Sequence, residues 1–171
     1  MTDRRPTALV TGASRGLGKA TARALAGAGF AVAVTARTLV DGERRLEGRP
    51  DVVVPGGLDT TAAAIEGAGG RAVPLFLDVL DRTSVLTAVG DALRAFGGLD
   101  VVVNNAVTQG PGAMVEFLDL PEEQLRDLFE GNLFAQLAVL REVLPAMIEA
   151  GGGTVVNMIS ATAYATPKGR I

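Results

Sequence analysis

The single tyrosine of the chain, Tyr164, lies four residues before Lys168. Because the chain contains no histidine and no cysteine, acid–base chemistry must use tyrosine, lysine, carboxylates or serine with water. The same absences exclude a Ser-His-Asp hydrolase, disulfides and the usual zinc sites, so we expect no metal. Two side chains four residues apart meet only on one face of a helix, and Pro167 disfavours helical geometry at Thr166. Tyr164 and Lys168 therefore have the spacing of a working pair but lie in a predicted loop.

A second group of residues has the composition of a phosphate site. The segment TGASRGLG, residues 11–18, follows an apolar run and precedes an alanine-rich segment. Its glycines, spaced GxxxGxG, would allow a tight turn and the approach of a pyrophosphate to free N–H groups at a helix N terminus. A plain strand–helix turn is the alternative. The predicted cofactor-binding residues of this loop are Gly12, Ser14, Arg15, Gly16, Leu17 and Gly18.

The end of the next apolar run indicates which dinucleotide would bind. Dinucleotide-binding proteins usually carry an acid about 20 residues past the loop, where it holds the ribose 2′-OH. Here the run ends in Arg37, and no acid occurs before Asp41. Arg37 and Arg15 could pair with a 2′-phosphate through charge-assisted hydrogen bonds, unless both are solvated surface charges. We therefore predict NADP(H) rather than NAD(H).

The elements that must position these residues alternate along the chain. The predicted strands cover residues 7–10, 30–35, 71–77, 99–103 and 154–159. The predicted helices cover residues 17–28, 59–67, 81–96 and 121–150. This alternation predicts an α/β fold with a Rossmann-like, doubly wound parallel sheet in three αβα layers. Pro74 places the third strand at an edge, and Asp59 is predicted to cap the second helix.

Composition limits the remaining possibilities. The 171 residues predict a single domain over 1–171, with a surface loop or insertion at 38–58 that could include a short strand at 51–54. The net charge of −3 and the lack of a basic stripe argue against nucleic acid. No apolar run is long enough to span a membrane, and the N-terminal segment does not resemble a signal peptide. We expect a cytoplasmic protein.

Five motifs in consistent order resemble those of the short-chain dehydrogenase/reductase family, over roughly residues 5 to 165. TGASRGLG is similar to the cofactor loop of that family, and Asp78-Val79 is similar to the pair that contacts its adenine ring. LDVVVNNA, residues 99–106, is similar to its fourth strand and NNAG motif. GNLFAQL carries Asn132 where the family has a catalytic asparagine. GTVVNMIS ends at Ser160, where the family has a catalytic serine.

The resemblance implies hydride transfer between nicotinamide and the carbonyl or alcohol carbon of a small-molecule substrate. It implies that Asn105 and Ala106 lie at the adenosine ribose, that Ser160 orients the substrate oxygen, and that Asn132 holds a water in a proton relay. Val107 stands where the family usually has glycine. Gly131 and Asn132 are poor helix formers inside a predicted helix, so we expect a local irregularity there.

In the family, the catalytic tyrosine and lysine lie on the helix after the serine strand, farther from the serine than Tyr164 is. We therefore expect the chain to end before the usual pair and the sheet to be C-terminally incomplete. The favoured hypothesis is an NADP(H)-dependent oxidoreductase, which would form a homo-oligomer if full-length. One alternative is a truncated, catalytically inactive dinucleotide-binding module, and another is a complete enzyme that uses Tyr164 and Lys168.

Overall fold

A central parallel sheet dominates the computed structural model, which describes residues 4–46, 49–110 and 115–160. Its strands, with a two-stranded hairpin, are β1 Thr7–Thr11, β2 Ala31–Ala36, β3 Arg45–Leu46, β4 Arg49–Val53, β5 Arg71–Phe76, β6 Val101–Asn104 and β7 Thr154–Asn157. The helices are α1 Gly16–Gly27, α2 Leu58–Glu66, α3 Arg82–Phe96, α4 Glu122–Phe129 and α5 Ala135–Glu149, with a 3₁₀ turn at Phe117–Asp119. None of the helices described is long and apolar enough to cross a bilayer.

The strand order of the sheet is β5-β2-β1-β6-β7, and all four pairings are parallel. β1 and β2 are buried along their whole length, as expected for unbroken apolar strands covered on both faces. Alternate residues of these strands face two separate cores. One core packs under α1 and α2, and the other under α3 and α5. The predicted doubly wound, three-layer fold is confirmed.

The two outer strands differ from the centre. β5 is an edge strand, and Pro74 lies opposite Val34 of β2, which confirms the position predicted from the missing N–H of proline. At the other edge, β7 pairs with β6 alone among the described strands, and its residues are largely exposed. It ends at Asn157, two residues before the predicted end at Ile159.

The connection from β2 to α2 is more ordered than the sequence suggests. Within the segment predicted as a loop, β3 and β4 form an antiparallel hairpin, so the predicted short strand is real but has a partner. The prediction that Asp59 caps α2 is wrong. Gly57 occupies the N-cap position in extended conformation, and Asp59 lies in the first turn, where its carboxylate accepts from the backbone N–H of Asp41 at 3.1 Å.

The long helix predicted from Pro121 to Ala150 is interrupted. α4 ends at Phe129, a π-helical segment covers Glu130–Phe134, and α5 follows without a break in the chain direction. The irregularity predicted at Gly131 and Asn132 is therefore found at those residues. π-segments are rare and often coincide with functional sites.

Candidate active site

A cleft of about 970 Å³ opens at the carboxyl ends of the central strands, which is where open parallel sheets bind their ligands. Most of the predicted cofactor residues line this cleft: Gly12, Ser14, Arg15, Leu17, Gly18, Arg37, Val79, Asn105 and Ala106. Gly16 and Asp78 are not among the residues that line it. The fold therefore brings nine separately predicted residues to one cavity.

The glycine loop is shaped by close backbone contacts. Gly12 has a φ of +71°, which L side chains rarely adopt. A Cβ added at Gly18 would lie 2.2 Å from the carbonyl oxygen of Gly12, so no side chain fits there. α1 begins immediately afterwards, and no side chain caps its N terminus. The first-turn N–H groups of α1 are thus left for an anion in the cleft.

Thr11 connects the turn after β6 to the glycine loop through hydrogen bonds. The Thr11 hydroxyl accepts from the backbone N–H of Asn105 at 3.0 Å and of Ala106 at 2.9 Å. In the opposite direction, the Asn105 amide donates to the carbonyl oxygens of Thr11 at 2.8 Å and Gly12 at 3.3 Å. Asn105 therefore holds the backbone of the glycine loop, in addition to lining the cleft. Neighbouring Asn104 is buried and donates to the side chain of Asn157 at 2.9 Å.

One end of the cleft is rich in arginine. Arg15, Arg37 and Arg44 are partly exposed there, and Arg45, the first residue of β3, is exposed. Burial lowers the pKa of Arg15, the positive charges of Arg44 and Arg37 lower it further, and Asp41 opposes these effects. The guanidinium groups of Arg37 and Arg44 therefore repel that of Arg15. Such a cluster is favourable only with an anion or a screening solvent nearby.

The acidic side chains of this region are engaged elsewhere. The Asp41 carboxylate accepts from the backbone N–H of Gly56 at 2.6 Å, and the Glu43 carboxylate accepts from that of Leu39 at 2.6 Å. Both carboxylates therefore hold loop backbone, and neither lines the cleft.

Asp78 has a local role that the sequence left open. Its Oδ1 accepts from the backbone N–H of Leu80 at 3.0 Å, and its Oδ2 lies 3.9 Å from the Arg37 guanidinium. The first contact closes the turn after β5. The second is a long, partly exposed ion pair, of a kind that contributes little to stability.

Asn132 is held by two hydrogen bonds to one residue. Its Oδ1 accepts from the backbone N–H of Thr108 at 2.8 Å, and its Nδ2 donates to the carbonyl oxygen of Thr108 at 2.8 Å. Gly131 permits this approach, because a Cβ at that position would lie 2.5 Å from the Thr108 Cγ2. The π-segment thereby fixes the long helix to the loop after β6, beside the cleft that Thr108 lines.

The other predicted catalytic residues lie at the end of the described chain. Ser160 is exposed, three residues beyond β7, and does not line the cleft described above. Tyr164 and Lys168 lie outside the described residues.

Several cleft residues were not predicted from the sequence. They are Thr38, Arg44, Arg45, Leu46 and Val54 near the hairpin, and Thr108, Gln124, Asp127 and Leu128 near the long helix. The adjacent arginines at 44 and 45 were a visible signal, but the hairpin that returns them to the glycine loop was not predicted.

Comparison with known proteins adds an independent finding. The family model described as short chain dehydrogenase matches residues 6–49 and 52–170. The chain is 33% identical over 154 residues to the ketoacyl reductase HetN of Nostoc sp., which covers 90% of this chain and 47% of HetN. It is 30% identical over 152 residues to human hydroxysteroid dehydrogenase-like protein 2, covering 89% of this chain and 34% of the relative. The chain thus spans half or less of these relatives.

Solved structures show the same likeness. A metagenomic short-chain oxidoreductase in complex with NADP has a TM-score of 0.75 and 32% identity, over 91% of this chain and 62% of the other. A variant of actinorhodin polyketide ketoreductase with NADPH has a TM-score of 0.76 and 33% identity, over 96% and 56%.

Proposed function

Because the chain belongs to the short-chain dehydrogenase family, we propose that it is an NADP(H)-dependent oxidoreductase. The reaction proposed is hydride transfer between nicotinamide and the carbonyl or alcohol carbon of a small-molecule substrate. The chain spans about half the length of HetN, and the proposal assigns nucleotide binding to the described residues that line the cleft.

The observation that carries the cofactor assignment is the arginine-rich end of the cleft. Arg37 directly follows β2, at the position where dinucleotide-binding folds present a group to the adenosine ribose. Arg15 reaches the same region from the glycine loop. Near this end of the cleft, the carboxylates of Asp41 and Glu43 are bound to loop backbone, and that of Asp78 lies 3.9 Å from the Arg37 guanidinium. Cations without a ribose-reading carboxylate favour a 2′-phosphate. Two of the similar structures were solved with NADP and NADPH.

The residues present fit a dinucleotide. The close contact of Gly12 and Gly18 and the uncapped N terminus of α1 offer backbone N–H groups to a pyrophosphate. When bound, the cofactor supplies or accepts the hydride. In this proposal Val79 and Asp78 lie at the adenine, and Asn105 and Ala106 support the adenosine ribose.

The proposed roles near the reacting carbon belong to Ser160 and Asn132. A serine hydroxyl donates a hydrogen bond to a substrate carbonyl oxygen and stabilises the charge that develops there. Asn132 is fixed by Thr108, and its proposed role is to hold a water in a proton relay. The cytoplasmic location and the homo-oligomer stay predictions from the sequence.

The cofactor assignment is tested with Arg37→Asp. The change removes a cation and places a carboxylate beside the ribose, so we expect the NADPH Kd to rise by about 10-fold or more, since a charged hydrogen bond contributes roughly 1.5–3 kcal/mol. The NADH Kd should stay level or fall. Arg23→Asp is the matched control, because Arg23 is exposed on α1 and does not line the cleft. Binding is measured by NADPH fluorescence and calorimetry. An unchanged preference in Arg37→Asp would refute the assignment.

A further inference from the structure

The segment between β2 and α2 folds directly onto the glycine loop. Gly56 has a φ of +102°, and a Cβ added there would lie 2.6 Å from the Ser14 carbonyl oxygen and 2.9 Å from the Arg15 Cβ. The Arg15 guanidinium donates to the carbonyl oxygen of Gly56 at 3.2 Å and to the Thr38 hydroxyl at 2.9 Å. The base of the hairpin is therefore part of the wall of the cofactor cleft.

Backbone hydrogen bonds hold this base in register. Leu58 N–H donates to the Thr38 carbonyl oxygen at 3.1 Å, and Asp59 N–H donates to that of Leu39 at 3.0 Å. The Asp41 carboxylate accepts from Gly56 N–H at 2.6 Å, while Asp41 N–H donates to the Asp59 carboxylate at 3.1 Å. The two strands that leave this base thus start from a fixed position relative to the cleft.

Arg44 directly precedes β3 at the base of the hairpin, and its side chain reaches the cleft. Its carbonyl oxygen accepts from Val54 N–H at 2.9 Å, so its backbone is tied to the returning strand. Its side chain is partly buried and lines the cleft. Within the described part of the chain, the Arg44 guanidinium makes no hydrogen bond or ion pair, whereas Arg45 donates to the Gly42 carbonyl oxygen and Arg49 pairs with Asp51 at 3.4 Å.

We propose that Arg44 is a specificity-determining residue for the adenosine 2′-phosphate, and that the hairpin serves to hold it at the arginine-rich end of the cleft. This inference rests on the proposed NADP(H) dependence. A phosphate monoester carries close to two negative charges near neutral pH, more than the single guanidinium of Arg37 balances. Arg44 supplies a further planar, always-charged donor to the same anion.

The electrostatics of the cleft support this role. After burial, the positive charge of Arg44 is the largest cause that lowers the pKa of Arg15, so the two guanidinium groups repel each other. Bringing cations together costs free energy. A bound dianion attracts both guanidinium groups and offsets the repulsion between them. Arg44 is partly buried in the lining of the same cleft as Arg15 and Arg37.

The test compares Arg44→Met with Arg49→Met in the 171-residue chain. Arg49 lies on the same hairpin, is exposed and does not line the cleft. Calorimetry measures the Kd of NADPH and NADH, and of 2′,5′-ADP and 5′-AMP, which carry only the adenosine end. We expect Arg44→Met to weaken NADPH and 2′,5′-ADP by about 10-fold, near the loss of one charged hydrogen bond. NADH and 5′-AMP should be unaffected, Arg49→Met should match the wild type, and Arg44→Lys should recover part of the loss.

The outcomes separate this inference from the proposed function. A wild type that prefers NADPH, combined with an Arg44→Met variant that keeps the full preference, overturns the role of Arg44 alone. A wild type that binds 2′,5′-ADP no more tightly than 5′-AMP overturns both. Equal weakening of all four ligands would show a general effect on the cleft and also overturns the specificity role. Circular dichroism confirms that each variant keeps its fold.

Discussion

Adding one methyl group at Gly131 should loosen the junction between the long helix and the loop after β6. Gly131 is buried in the π-segment. An alanine Cβ there would lie 2.5 Å from the Thr108 Cγ2, 3.1 Å from the Thr108 Cβ and 3.2 Å from the Val79 Cγ2. Thr108 cannot easily move aside, because both of its backbone polar groups are bound by Asn132.

Two effects of opposite sign determine the size of the change. Replacing glycine by alanine inside a helix stabilises it by up to about 1 kcal/mol. Forcing an extra methyl group into a packed site typically costs about 1–3 kcal/mol. We expect Gly131→Ala to destabilise the protein by about 1 kcal/mol. Gly90→Ala in α3 is the matched control, since its Cβ would meet only the flexible end of Arg94, at 3.2 Å. It should stabilise by roughly 0.5–1 kcal/mol.

Urea and thermal unfolding followed by circular dichroism measure both variants. The expected difference of about 2 kcal/mol corresponds to a Tm difference of roughly 4–8 °C for a domain of this size. Thr108→Ser removes the closest methyl group, so the double variant with Gly131→Ala should show a favourable coupling of about 1 kcal/mol. If Gly131→Ala is as stable as Gly90→Ala, or if the coupling is absent, the steric reasoning is wrong.

Two other side chains give separate tests. Thr11→Val should cost about 2 kcal/mol or more, because it leaves the backbone N–H groups of Asn105 and Ala106 without their acceptor; Thr11→Ser keeps the hydroxyl, and equal urea midpoints for the two variants would contradict the prediction. Ser160→Ala should lower NADPH oxidation across a panel of carbonyl compounds by about 10²-fold while the NADPH Kd stays the same, and equal rates would remove Ser160 from the proposed mechanism.

The sheet and the glycine loop could be predicted because their signals are local. β1 and β2 are unbroken apolar runs, and each ends where glycine or charge begins. The irregularity at Gly131 was predictable for the same reason, since two poor helix formers stand together in the sequence. In each case, the conformation depends on residues that are adjacent in the sequence.

The hairpin could not be predicted in full because its pairing is irregular. Arg45 pairs with Val53 and Leu46 with Arg49, with a shift of register between the two pairs. Both strands are short and largely exposed, so neither has the alternation that marks a half-buried strand. The location of Arg44 in the cleft depends on this pairing, and the sequence alone does not reveal it.

The sequence also did not indicate the structural role of Thr11. Its hydroxyl serves two N–H groups from a turn more than ninety residues away, and a threonine at the end of a strand is otherwise unremarkable. Asp78 shows the opposite case. Its place after β5 suggested a ligand contact, and the structure adds two local contacts, to Leu80 and Arg37.

The central place of β1 has a consequence for biosynthesis. β1 pairs on one side with β2, which follows after a single helix, and on the other with β6, which begins only at Val101. At about 5–20 residues per second, the ribosome needs about 3–13 s to travel from Ala36 to Val101. During that interval, one edge of a strand that is wholly buried in the finished fold has no partner from its own chain. The period of greatest risk from wrong strand pairing therefore falls during translation, before the finished sheet exists.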